Sequence, residues 1–194
     1  VRRRIGSLAL VAAAGCWRAG PLRLELRYDA AADEPEVAPA GIGCRIAFAT
    51  VADARPEIDR QSVGDRGGAV TAEHVPEWVC QGLQTLVRSR LATAACVPAP
   101  AAPDLVATVA IRRLYVHAVA TDLEAVLALD VRYTRRDGDS RDRAYRGSAQ
   151  VFNWFNGDGE IEGVVNQALR DSVVQIAGEL RNACSGTLPA RHTW

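Results

Sequence analysis

Between Leu105 and Val151 the chain passes through three consecutive stretches in which apolar residues recur at every second position. Leu105, Val109 and Ile111 mark the first, which continues to His117. Leu123, Leu127, Leu129, Val131 and Tyr133 mark the second, and Tyr145, Ala149 and Val151 the third. A period of two is that of a strand with one buried face. Asp137-Gly138, between the last two runs, is a hairpin signal. Gly157-Asp-Gly159 then breaks the chain, and the period changes. From about Glu160 to Ala183, the residues Ile161, Val164, Val165, Ala168, Leu169, Val173, Ile176 and Leu180 fall on one stripe of a helix. Ser185-Gly186 stops it. An antiparallel sheet with one apolar face and a helix with one apolar stripe must bury against each other, so few architectures remain.

The first hundred residues extend this pattern. Leu22, Leu24, Leu26 and Tyr28 share one strand face, and Ile42, Cys44, Ile46 and Phe48 share another in a strand running to Val51. Asp53 to Val70 has no apolar period and contains Pro56, Gly64, Gly67 and Gly68, which predicts a long loop. Thr71 is expected to start a helix, with Pro76 in its first turn. Val75, Val79, Leu83, Leu86 and Leu91, with Trp78 alongside, continue that helix to about Ala92. The stretches Ala30–Gly41 and Val97–Pro103, rich in Ala and Pro, are connectors. The expected fold class is α+β, a two-layer sandwich in which two amphipathic helices pack on one face of a mostly antiparallel sheet. The other face is left partly open to water, which suits Arg112, Asp130 and Arg132.

The head of the chain has a different character. Arg2, Arg3 and Arg4 precede an apolar run from Ile5 to Gly15, and Ala13-Ala14-Gly15 stands directly before Cys16. A basic segment, a short apolar segment and small residues are the parts of a secretory signal. The run is too short to span a bilayer, which takes about 20 apolar residues. The small triplet before a cysteine is the pattern of a bacterial lipobox. Residues 1–15 are thus expected to be a lipoprotein-type signal peptide, with Cys16 the site of lipid attachment. Residues 16–41 then form the anchor strand and tether, 42–185 a single α+β periplasmic domain, and 186–194 a loose tail. Two alternatives stay open: an ordinary signal cut after Ala14, and an N-terminal helix of a cytosolic protein. Against the second, Ile5 to Gly15 has no polar face beyond Ser7.

Acidic and basic residues balance at 23 each, all the basic ones being arginine. Without Arg2 to Arg4 the remainder is slightly acidic, which excludes the basic footprint of a nucleic-acid binder. Cys44, Cys80, Cys96 and Cys184 remain beside Cys16. An even number in an exported chain points to two disulfides, with three connectivities open, against buried free thiols. No pair has the C-x-x-C spacing of redox or zinc chemistry. His74, His117 and His192 are scattered, so no metal ligand set and no cofactor is expected. Asp137–Asp142 and Asn156–Glu160 fail the calcium-loop pattern. Gly64-Asp-Arg66-Gly67-Gly68 reads as a flexible loop that uses positive φ, or as an anion-binding nest. Phe152-Asn-Trp154-Phe155 either closes the core at a strand end or, if exposed, forms a partner or glycan patch.

Leu24-Glu-Leu-Arg-Tyr28, Val51-Ala-Asp53-Ala-Arg55, Val63-Gly64-Asp-Arg66, Val75-Pro76-Glu-Trp78 and Tyr145-Arg-Gly147 together resemble the YajG-type lipoproteins of proteobacteria. The connector Ala30–Gly41 and the four additional cysteines depart from that pattern. The resemblance implies an envelope lipoprotein with no established enzymatic activity and no catalytic residues. The expected function is non-catalytic: a lipid-anchored periplasmic protein acting through protein–protein contact, as an assembly or transport accessory. The alternative is a periplasmic binding module for a small ligand or cell-wall fragment. Asp53, Arg55, Gly64, Arg66, Phe152, Trp154 and Phe155 are the candidate contact surface. The partners expected are the membrane, through the lipid, and another envelope protein. Trp17, where an aspartate is absent, favours the periplasmic face of the outer membrane.

Overall fold

The three alternating runs form one continuous antiparallel meander in the computed structural model, which describes residues 21–29, 45–65, 69–86, 96, 102–119, 121–152 and 157–184. In chain order the elements are β1 (Leu22–Glu25), β2 (Ile46–Asp53), α1 (Glu57–Gln61), β3 (Gly64–Asp65), β4 (Ala69–Glu73), α2 (Val75–Gln84), β5 (Leu105–Val119), β6 (Asp122–Arg135), β7 (Ser140–Phe152) and α3 (Asp158–Cys184). All seven strands belong to one sheet in the order β1-β4-β3-β5-β6-β7, with β2 also on β5. The long ladders β5–β6 and β6–β7 are antiparallel, and the shorter β1–β4, β2–β5 and β3–β5 ladders are parallel. The largely antiparallel α+β class stands. The structure corrects the remainder: three helices are described where two were expected, and the sheet is open rather than closed into a two-layer sandwich.

Two corrections fall between Asp53 and Glu73. The stretch expected as a long loop holds α1, β3 and β4, and Thr71, expected to open a helix, lies within β4. Two- and five-residue strands are too short to show a period, and their partners β1 and β5 are remote in sequence. The helix begins instead at Val75, after His74 takes the left-handed conformation at φ 55°.

Side chains on the odd-numbered positions of β6, from Leu123 to Tyr133, all point into the core. β5 holds to the same rule only as far as Ile111. Ile111 faces Leu129 and Arg113 faces Ala128, so Arg112 is an extra residue in a β-bulge. Because side chains alternate, one inserted residue exchanges the faces. The buried set moves from Leu105, Ala107, Val109 and Ile111 to Leu114 and Val116, and Arg112 and Arg113 both emerge into solvent. A second irregularity in β2, between Phe48 and Thr50, does the same on a shorter scale.

Helices α2 and α3 cover this inner face. Trp78 of α2 is fully buried, and its Nε1 donates to Oδ1 of Asn166 on α3 at 2.8 Å. Gly147 of β7 lets α3 approach the sheet: a Cβ there would lie 1.9 Å from the Ala168 carbonyl oxygen and 2.3 Å from Ser172 Oγ. Glu160, in the first turn of α3, accepts a hydrogen bond from the Gly157 amide at 3.0 Å, which satisfies a free donor of the helix start. Deeper in the core, the hydroxyls of Tyr133 and Tyr145 meet at 2.8 Å. Burial pushes both hydroxyls above the ordinary tyrosine value.

Candidate functional site

The face of the sheet opposite the helices is the surface available for recognition. Its central part is a depression of about 720 Å³ across β2, β5, β6 and β7, floored by small residues such as Ala52 and Ala110 and edged by Thr50 and Thr108. Of the five charged residues that line it, four cross it in two pairs and the fifth, Arg143, reaches Glu179 on α3 at 3.2 Å. The extra residue of the β5 bulge, Arg112, points its Nε at Oδ2 of Asp130 on β6 at 2.7 Å. Arg132 on β6 grips Asp142 on β7 with two bonds, Nε to Oδ1 at 2.8 Å and Nη2 to Oδ2 at 3.1 Å. The hydrogen bond from Arg132 holds the Asp142 carboxyl below its ordinary value and, in return, raises the guanidinium. All four side chains remain about half exposed or more. Exposed pairs of this kind contribute little stability. They are free to exchange partners with an incoming carboxylate or cation, which gives an interface its register.

Beyond the bulge the same face turns aromatic. The Arg113 guanidinium sits 5.4 Å from the centre of the Tyr115 ring, Tyr115 and His117 rings lie 4.7 Å apart, and His117 Nε2 is 3.5 Å from Glu124 Oε2. Phe152, at the end of β7, is half exposed. Trp154 and Phe155, named with it as a cluster, lie outside the described residues.

The structure places the other candidate residues elsewhere. Asp53 and Arg55 do come together, but inside the fold: Arg55 is 3% exposed. Its Nη2 and Nε donate to the two Asp53 carboxylate oxygens at 2.7 and 2.9 Å, and Nη1 donates to the Asp59 carbonyl at 3.1 Å. Burial alone would raise the Asp53 carboxyl, yet the bonds and charge of Arg55 outweigh it and leave the group lowered. This pair closes the corner between β2 and α1, which leaves the Arg55 side chain out of the surface. Gly64 also lies inside the fold. It is a buried strand residue, and a Cβ on it would fall 1.8 Å from the Val116 carbonyl oxygen, so its role is close approach of β3 to β5. Arg66 lies outside the described residues, as do Cys16 and Cys44.

Cys80 and Cys96 are bonded to each other, with Cα atoms 5.5 Å apart. Cys184 ends α3. Among the described residues no three His, Cys, Asp or Glu side chains are grouped to hold a metal ion, and no helix is long and apolar enough to cross a membrane.

The β7 edge of the sheet is less open than the face. On β7 the Ser148 amide donates to Asp171 Oδ2 at 3.1 Å, and the Arg146 carbonyl accepts from Gln175 Nε2 at 2.9 Å. Side chains of α3 therefore occupy main-chain groups that an added strand would need. The sequence pattern places Arg112, Asp130 and Arg132 on the solvent side without grouping them as a site. The signal is the charge at alternate positions 130 and 132 of β6, and the bulge in β5 brings Arg113 out beside Arg112.

No protein-family model and no curated protein matches the chain. Likeness appears at the level of structure. Protein XCC0632 from Xanthomonas campestris, of family DUF330, superposes with a TM-score of 0.51 at 12% identity, over 87% of this chain and 99% of that one. A candidate lipoprotein from Caulobacter crescentus gives 0.43 at 11% identity, over 56% of this chain and 83% of that one. Hypothetical protein CT253 from Chlamydia trachomatis gives 0.30 at 14% identity, over 60% and 76%. The chain thus shares the fold of a small bacterial protein at a distance that carries fold and nothing finer. The narrower likeness to YajG-type lipoproteins is not among these findings.

Proposed function

We propose that this chain is a non-catalytic, lipid-anchored protein of the bacterial envelope that acts through protein–protein contact, as an assembly or transport accessory. The observation that carries the reading is the head of the sequence, where three arginines, an apolar run and Ala13-Ala14-Gly15 lead directly into Cys16. The resemblance to YajG-type lipoproteins supports it, and Trp17 favours the outer membrane. The helix-free face of the sheet, with its exchangeable Arg–Asp pairs, is the contact surface in this reading, in place of the Asp53–Val70 stretch. A tether concentrates the domain at the membrane, so a weak contact suffices.

The test is the intact mass of the protein extracted from membranes with detergent. A mass equal to residues 16–194 with a diacylglyceryl group and an acyl chain is expected. An unlipidated chain beginning near Gly15 would refute the anchor. The depression of about 720 Å³ favours one second reading, a binding module for a small ligand or cell-wall fragment. A rise in thermal stability with muropeptides would put that reading first.

A further inference from the structure

We infer that one end of the sheet, carrying Val119 and Phe152, rests on the lipid surface; the inference depends on the anchor proposed at Cys16. The direction of each strand follows from the ladders. β1 runs parallel to β4, β4 antiparallel to β3, and β3 parallel to β5, with Leu22 level with Val70, Val70 with Gly64 and Gly64 with Val116. The start of β1 therefore lies only three positions along β5 from Val119, a rise of roughly 10 Å. It lies eleven positions, roughly 36 Å, from Leu105 at the opposite end of β5.

The tether decides between the two ends. Leu22 is six residues after Cys16, and six residues reach at most about 20 Å even when fully extended. An acyl chain on Cys16 can thus bring the Val119 end against the bilayer, whereas the Leu105 end is beyond its reach.

Two of the four exposed large apolar side chains among the described residues, Val119 and Phe152, stand at that reachable end; the others are Ile58 on α1 and Val174 on α3. Val119 pairs with Asp122, and Asp122 with Phe152, so the three form one row across β5, β6 and β7. Residues directly opposite one another share a face, which puts Val119 and Phe152 together on the helix-free side, about two strand spacings or ~10 Å apart. They are 47% and 50% exposed. Asp122 stands between them in that row, accepting a hydrogen bond from Gln150 Nε2 at 2.9 Å, and Asp158 and Glu160 open α3 at the same end, so this end offers anionic lipid no attraction. The partner is a neutral, zwitterionic lipid surface.

The full-length chain reconstituted in phosphatidylethanolamine and phosphatidylcholine vesicles tests this, with the photoreactive residue p-benzoylphenylalanine placed at position 119, 152 or 174. Val174 is as exposed as the other two, at 46%, but lies on α3, on the other side of the sheet. Irradiation is expected to yield phospholipid adducts from positions 119 and 152 at least about tenfold more often than from 174, unchanged by salt. Adducts only to a second copy, no adduct at all, or equal yield from position 174 would overturn the inference while the mass still shows lipid on Cys16. An unlipidated mass would overturn the anchor reading, and the inference with it.

Discussion

Replacing Gly147 with alanine tests the packing of α3 on the sheet more directly than any other single change. The added Cβ would stand 1.9 Å from the backbone oxygen of Ala168 and 2.3 Å from Ser172 Oγ. Neither neighbour yields by a rotamer change alone, since the first is main chain in mid-helix and the second is fully buried. The helix must retreat by roughly 1 Å or more, at an overpacking cost of about 1–3 kcal/mol. The retreat also stretches the Asp171–Ser148 and Gln175–Arg146 bonds, adding about 1 kcal/mol. A total near 3 kcal/mol lowers the melting temperature of a chain this size by about 6–12 °C. The same substitution at Gly163, where nothing lies within 4 Å of the added carbon, should instead stabilise by about 0.5–1 kcal/mol through helix propensity. Thermal and urea unfolding followed by circular dichroism reads both. If Gly147→Ala melts within 2 °C of the parent, or moves in the same direction as Gly163→Ala, the close approach of α3 to β7 is wrong.

Asp53→Asn should destabilise by about 2–3 kcal/mol near neutral pH, because it strips the buried Arg55 of its carboxylate partner. Asp53 titrates lower in the folded chain than in the unfolded one, so its contribution is present above the unfolded value and lost as pH falls through the folded one. The gap to the parent should therefore close as urea unfolding is repeated below about pH 4, and a gap of constant size would contradict the pairing. Changing both Cys80 and Cys96 to serine opens a loop with a sequence separation of 16 and should cost about 3 kcal/mol in urea. The double variant should no longer respond to reductant through this bond, and an unchanged midpoint would show that the bond does not form in solution.

The elements most legible from sequence are those whose period is unbroken. Odd positions of β6 are buried from Leu123 to Tyr133, and α3 keeps its apolar stripe from Ile161 to Leu180, so pattern and burial coincide. Gly138, read as part of a hairpin signal, stands at φ 91° in the β6–β7 turn. β5 was legible only up to its bulge, since after Arg112 the alternation restarts on the other parity. β3 and β4 were not legible at all. A two-residue strand is defined by the neighbour it meets, and Gly64 was read as a loop glycine because its reason, the Val116 carbonyl, lies more than fifty residues away in the chain.

Local pattern was sufficient for the class of fold, the meander and the covering helix, because each rests on residues that are near neighbours in the chain. Tertiary structure alone decided that Arg55 is used inside the fold and that the bulge turns Arg113 outward beside Arg112. It also decided that the start of β1 lies at the same end of the sheet as Val119 and Phe152. The physical reason is shared. Burial, bulges and strand order depend on which distant backbone a segment pairs with, and a periodic pattern records only that some partner exists.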